Sequence, residues 1–152
     1  MEMRNAGKGD FDFILFGRTE IAREEGFRIP SIAKEKKRVR GAIAGKRVRV
    51  AVGNGKAVGF IWFVEGKETP FGLDYGDFGL KYLWVDYVFV EKGWRGKGVG
   101  KALYADLAAI ARKRGASRLM GDVFTVNWKS IAFHEKLGFE PLLRIYWKKV
   151  RK

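Results

Sequence analysis

Val90-Glu91-Lys92-Gly93-Trp94-Arg95-Gly96-Lys97-Gly98-Val99-Gly100-Lys101 ends an apolar strand, alternates glycines with bases and opens a helix. Glycine lets the backbone bend tightly, so that successive N–H groups converge on one anion. The helix start adds positive partial charge, and Arg95, Lys97 and Lys101 add full charges. As chemistry, the stretch is a cradle for a pyrophosphate. It is a poor P-loop, because Ala102 follows Lys101 where Ser or Thr is required and Arg95 stands at the first glycine position. It is an equally poor dinucleotide fingerprint, since its glycines run Gly-x-Gly-x-Gly from Gly96 to Gly100.

Outward from the loop, apolar spacing assigns the neighbouring elements. Residues 82–90 read as a strand, and Val99, Leu103, Leu107 and Ile110 form one stripe of a helix closed by Gly115. Residues 118–124 are a further strand, 128–137 a short helix stopped by Gly138, and 142–149 a last strand. Upstream, residues 47–52 and 57–64 flank Asn54-Gly55, a pair suited to the positive φ angles of a tight hairpin. The run Gly59-Phe60-Ile61-Trp62-Phe63 predicts burial on both faces. Residues 1–6 suit a first strand, and Asp10 is expected to cap a helix carrying Phe11, Ile14, Leu15, Ile21 and Ala22 and ending near Gly26. Pro30 and Ser31 open a second, very basic helix whose stripe is Ile32, Val39 and Ile43. Residues 65–80 read as a long loop. Helices, a hairpin, then alternating strand and helix make an α/β domain with a mixed sheet, a single domain over residues 1–152.

Composition narrows the class. Hydrophobic residues at 47% and charged residues at 32% describe a globular domain rather than a disordered chain. Without cysteine and with one histidine, thiolate nucleophiles, disulfides and His-rich metal sites are excluded. No apolar run approaches the roughly 18 residues that span a bilayer, and residues 1–5 lack a signal-peptide core, which points to the cytoplasm. The net charge of +14 predicts attraction to polyanions, among them nucleic acid or a phosphorylated cofactor, or simply a solvated basic surface.

The loop resembles the Arg/Gln-x-x-Gly-x-Gly/Ala signature of the GCN5-related N-acetyltransferase (GNAT) superfamily, matched by Arg95, Gly98 and Gly100. Asn127-Trp128-Lys129-Ser130-Ile131-Ala132-Phe133-His134-Glu135-Lys136-Leu137-Gly138-Phe139 is similar to that family's second signature segment. Met3-Arg4-Asn5-Ala6 and Gly59-Phe60-Ile61 stand where the family has its opening strand and central hairpin. The resemblance implies a mixed, mostly antiparallel central sheet flanked by helices, acetyl-CoA as cofactor and direct acetyl transfer to an amine. It implies that the main chain at Val88, Phe89 and Val90 pairs with pantetheine. It also implies that the stretch of Arg95, Gly96, Lys97, Gly98, Val99, Gly100 and Lys101 takes the pyrophosphate, with Asn127 and Ser130 near the thioester. For Val88 to Val90 the alternative is plain strand, and for Asn127 a helix cap.

An amine must lose a proton before it attacks a thioester, and the departing thiolate gains from receiving one. Asp86 and Asp122 are the candidate bases, each with a structural ion pair as its alternative role. Asp86 is expected to share a strand face with Trp84 and Val88. His134 stands where the family commonly has a Tyr that protonates the thiolate, and an imidazole with an ordinary pKa of about 6.5 can do the same. Packing is the alternative for His134, and Tyr87 or Tyr104 are alternative acids. Glu65, Glu68, Asp74 and Asp77, with Phe71, Tyr75 and Phe78, suggest either an acidic lip for a cationic amine or an acid-rich solvated loop. The rival function is a nucleic-acid- or ribosome-associated protein that keeps the fold, supported by Lys34, Lys36, Lys37, Arg38 and Arg40. The acceptor and the oligomeric state stay open.

Overall fold

The computed structural model describes residues 1–66 and 81–151, and most of the acid-rich stretch, from Glu68 to Phe78, lies outside them. The chain forms two compact units, Met1–Asp122 and Val123–Lys152.

The first unit holds β1 (Glu2–Asn5), α1 (Phe11–Glu24), α2 (Ile32–Ala44), β2 (Val48–Gly53), β3 (Lys56–Gly66), β4 (Tyr82–Val90), α3 (Val99–Lys113) and β5 (Arg118–Gly121). Its sheet runs β1-β2-β3-β4-β5, antiparallel throughout except for the parallel β4–β5 pair. This is the mixed, mostly antiparallel sheet that the sequence led us to expect. Asn54 (φ 51°) and Gly55 (φ 74°) both take positive φ and turn the hairpin. From Val58 to Phe63 the strand β3 is buried continuously, because helices cover both of its faces. Phe60 meets Phe13 and Phe89 beneath α1, whereas Gly59 sits against Val99 and Leu103 of α3. A Cβ on Gly17 of α1 would lie 2.4 Å from the Phe60 ring and 2.8 Å from that of Phe89, so this glycine sets how closely helix and sheet approach. On the other face, Arg49 of β2 grips Asp106 of α3 with two bonds of 2.7 and 3.1 Å.

Several local readings change. Asp10 precedes α1 but makes no side-chain cap; its carboxylate accepts from Arg4 at 2.7 and 3.0 Å and from the Gly7 N–H at 2.8 Å, tying the helix start to β1. The guanidinium of Arg4 holds that carboxyl below its usual range, against the opposing effect of burial. In α2 the buried face is Glu35, Val39 and Ala42, while Ile32 is exposed. A paired charge thus replaces an apolar residue on that face. Strand β5 ends at Gly121, short of the expected 124, so Asp122 follows the strand.

The second unit contains α4 (Trp128–Lys136), closed by Gly138 at φ 87°. Residues 142–149 carry no strand. Their mixture of apolar and basic residues suits a half-buried ribbon, but Ile145, Tyr146 and Trp147 are exposed and the segment has no ladder partner among the described residues.

Candidate active site

The loop between β4 and α3 turns on Gly96 (φ 73°) and Gly98 (φ 81°), and Gly98 is the residue that caps the fifteen-residue α3. Left-handed φ angles at these positions favour glycine. No atom lies within 4 Å of a Cβ built on either residue, so bare backbone faces open space at the positive end of a long helix. Val99 is buried as the helix enters the core, while Lys97 and Lys101 stay exposed.

Arg95 turns away from that surface. Its Nε donates to the carbonyl of Val90 at 2.8 Å and another nitrogen meets Glu24 of α1 at 3.1 Å. The side chain therefore braces the loop, and the exposed positive groups at the turn are Lys97, Lys101 and the main-chain N–H groups of the helix start. Trp94 wedges the loop from the other side: a Cβ on Gly53, at the hairpin tip, would come within 2.6 Å of its indole. Lys97 Nζ lies 5.4 Å from the same ring.

Strand β4 carries the second part of the site. It has nine residues, but β5 pairs only with its first four, Tyr82 to Val85. Strand β5 ends there, at Gly121, and the edge holding Val88, Phe89 and Val90 pairs only with β3 among the described residues. Just past that point the β3–β4 ladder slips: Trp62 faces Tyr87, Phe63 faces Val85, and Asp86 is skipped. Asp86 is thus the extra residue of a β-bulge, which re-aims a side chain and turns the strand. The bulge also corrects the face assignment. Trp84 pairs with Val64 and Val88 with Ile61, three positions apart on β3, so they lie on opposite faces.

Asp86 is half-buried, and burial pushes its carboxyl above the usual carboxylate value. Arg38 opposes that rise, the charge of Asp122 adds to it, and Arg47 and Arg18 oppose it more weakly. The two candidate acids are therefore near enough to feel each other, Asp86 sheltered and Asp122 exposed. Tyr104, on α3, is buried, which pushes its hydroxyl well above an ordinary phenol and makes it a poorer acid.

Beside Asp86 stands a cluster that sequence reading missed. Glu35 accepts from Arg18 Nε at 2.8 Å and from Arg38 at 2.9 Å, and Arg38 also donates to the Tyr87 hydroxyl at 3.0 Å. The guanidinium carbon of Arg18 lies 3.3 Å from the centre of the Tyr87 ring. The indole N–H of Trp62, edge-on to Tyr87, is buried without a partner among the described residues. These contacts take Arg38 out of the basic face of α2, and Arg40 lies over the Phe11 ring at 5.0 Å. Glu65, the one described member of the expected acidic lip, is matched by Lys81 at 3.1 Å and Arg114 at 3.8 Å.

In the second unit Asn127 caps α4, its side chain accepting from the Ser130 N–H at 3.2 Å. His134 Nδ1 donates to the Ser130 carbonyl at 2.7 Å, which fixes the orientation of the ring. Phe133 and Phe139 hold the imidazole edge-on, at 5.5 and 5.3 Å.

Comparison with known proteins agrees with this architecture. The model of the acetyltransferase (GNAT) family matches residues 18–139, and the chain belongs to that family. It is 42% identical over 55 residues to a glucosamine 6-phosphate N-acetyltransferase of Trypanosoma brucei brucei, covering 36% of this chain and 35% of that protein. Over 94 residues it is 29% identical to an aminoglycoside N(6')-acetyltransferase type 1 of Stenotrophomonas maltophilia, covering 62% and 59%. The chain thus spans between about a third and three-fifths of the length of these relatives. An aminoglycoside N-acetyltransferase solved with CoA shares the fold at a TM-score of 0.77 and 19% identity, over 99% of this chain and 95% of that one. Among the described residues no helix is long and apolar enough to cross a membrane.

Proposed function

We propose that this chain is an acetyl-CoA-dependent N-acetyltransferase that transfers the acetyl group to a primary amine by direct attack. The observation that carries the reading is the edge of β4 from Val88 to Val90, which pairs only with β3 among the described residues, followed by a bare glycine turn at the start of α3. An open strand edge suits the amides of a pantetheine arm, and a helix N-terminus with Gly96 and Gly98 suits its pyrophosphate. Family membership and the amino-sugar acetyltransferases among the relatives support the reaction class and a small-molecule amine acceptor.

In this mechanism Gly96 to Lys101 hold the phosphates by main-chain N–H groups, with charge from Lys97 and Lys101. Val88, Phe89 and Val90 offer main-chain groups to the pantetheine, and Asn127 and Ser130 of the second unit are the residues that the family resemblance assigns to the pantetheine or thioester. Bound acetyl-CoA supplies the activated acetyl thioester. Asp86, on its bulge, accepts a proton from the acceptor ammonium, directly or through water; its raised pKa makes it a better base than an exposed carboxylate. Asp122 sustains that basicity by its charge. His134, at the family's general-acid position, would supply a proton to the sulfur from Nε2. The family match crosses from the first unit into the second, which supports one functional domain over residues 1–152. A cytoplasmic location belongs to the same reading.

Thermal unfolding with acetyl-CoA, CoA, NADH and ATP is the test. Selective stabilisation by acetyl-CoA and CoA, followed by amine-dependent release of free thiol, is expected. No shift with any of the four would overturn the assignment.

A further inference from the structure

We propose that Arg38, Tyr87 and Trp62 form a subsite for an anionic group on the acceptor, so that the substrate is a small amine bearing a carboxylate or a phosphate. The inference rests on the acetyltransferase reading and narrows it. Its starting point is an arginine pair inside the fold. The side chain of Glu35 is 5% exposed, and one of its oxygens goes to Arg18 and the other to Arg38. Arg18, 8% exposed, is sealed against the Tyr87 ring, so the member of the pair that reaches the surface is Arg38, whose side chain is 47% exposed.

A clamp between α1 and α2 needs only the Arg18–Glu35 bond. Arg38 adds a second cation that the clamp does not require. It is held in one attitude by Glu35, by the Tyr87 hydroxyl and by the Trp62 ring, 5.3 Å away. Two of its five N–H groups are engaged in those bonds among the described residues, and the others are offered to a pair of anionic oxygens. A pre-set guanidinium loses little freedom on binding.

Position supplies the rest. Arg38 donates to the hydroxyl of Tyr87, the residue that follows Asp86 on β4, so the cation and the candidate base share one neighbourhood. An acceptor whose ammonium faces Asp86 brings its other end towards Arg38. At its exposed end the neighbourhood offers a cation, Arg38, in a chain of net charge +14, while Glu65 is already neutralised by Lys81 and Arg114.

The experiment compares matched amines by acetyl-CoA-dependent thiol release: β-alanine against β-alaninamide, and phosphoethanolamine against ethanolamine. The anionic member of at least one pair is expected to show a kcat/KM ten or more times higher. A preference confined to one pair identifies carboxylate or phosphate as the group read. Arg38→Gln is expected to raise KM for the anionic member at least tenfold, with a much smaller change in kcat and a much smaller effect on the uncharged member. Arg38→Lys restores part of the difference, as a point charge without the fork, and Tyr87→Phe weakens it by loosening Arg38. Glu35 keeps Arg18 in the Arg38 variants, and the wild-type preference needs no variant. Equal kcat/KM within both pairs, equal damage to both members by Arg38→Gln, or no turnover of any of the four while acetyl-CoA stabilises the protein would each overturn the subsite alone. Absence of stabilisation by acetyl-CoA removes the acetyltransferase reading, and the subsite with it.

Discussion

The Nε of Arg95 donates to the main-chain carbonyl of Val90 at 2.8 Å, closing the glycine-rich loop back onto the strand that precedes it. The residue that opens the family signature is here a brace, tied also to Glu24 of α1. Arg95→Ala is therefore expected to weaken acetyl-CoA binding only about three- to tenfold, the worth of roughly one hydrogen bond. Titration calorimetry measures it, and a loss of a thousandfold would show that the guanidinium itself binds the phosphates.

Gly98 separates strain from charge. At φ 81°, with no atom within 4 Å of an added Cβ, Gly98→Ala meets no clash and costs about 1–2 kcal/mol through left-handed strain. Gly98→Glu adds a carboxylate at the helix start and is expected to abolish acetyl-CoA binding. Equal affinities in the two variants would contradict an anion site there.

Asp86→Asn is expected to lower kcat by about a hundredfold or more, with acetyl-CoA affinity nearly unchanged. In the native protein kcat/KM should rise with pH through an apparent pKa above the usual carboxylate value, the direction in which burial moves Asp86. The sign for stability is opposite to that of an ion-paired acid. A carboxyl whose folded pKa is raised binds protons more tightly when folded, so its charge destabilises the fold once pH exceeds the unfolded value. The variant should thus match or exceed the native melting temperature at neutral pH and lose that advantage below about pH 4. A lower melting temperature at neutral pH would mark Asp86 as a structural ion pair.

Asp10 shows the ordinary case. Arg4 lowers its folded pKa, so the stability it contributes is present above the unfolded value and is lost as pH falls through the folded one. Asp10→Ala removes the partner of Arg4 and of the Gly7 N–H and is expected to cost about 1–3 kcal/mol at pH 7. In urea titrations the deficit should shrink below about pH 4.

His134→Asn can keep a donor towards the Ser130 carbonyl but lacks Nε2. Thiol-release assays should show both this variant and His134→Ala at least about tenfold slower, with acetyl-CoA affinity little changed. Native turnover in His134→Asn would leave the imidazole a spacer between Phe133 and Phe139.

The legible parts of the fold are those fixed by local chemistry. Asn54-Gly55 and the Gly96–Gly98 turn need positive φ, and such requirements show in residue type. The bulge at Asp86 leaves no such mark, because residues 82–90 read as an uninterrupted strand and the slip exists only relative to β3. Glu35 was hidden for a similar reason. Within a run of lysines and arginines it looks like one more surface charge, and its partner Arg18 sits on another helix. Residues 142–149 erred the other way, since a pattern fit for a strand does not provide the neighbour that a strand requires. The candidate acids could be named from the sequence, but the shelter of Asp86 and the exposure of Asp122 could not, because they depend on the bulge in β4 and on the end of β5 at Gly121.

The contact of Trp94 with Gly53 joins two ends of the chain's chemistry that otherwise have nothing in common. Gly53 carries no reactive group, yet its bare backbone is the seat on which the Trp94 indole rests, whereas a Cβ on Gly55 at the turn meets nothing within 4 Å. The strand end, rather than the turn, is thereby closed to the sequence drift that hairpins usually tolerate, and a side chain introduced at Gly53 is expected to register as lost acetyl-CoA affinity long before it unfolds the protein.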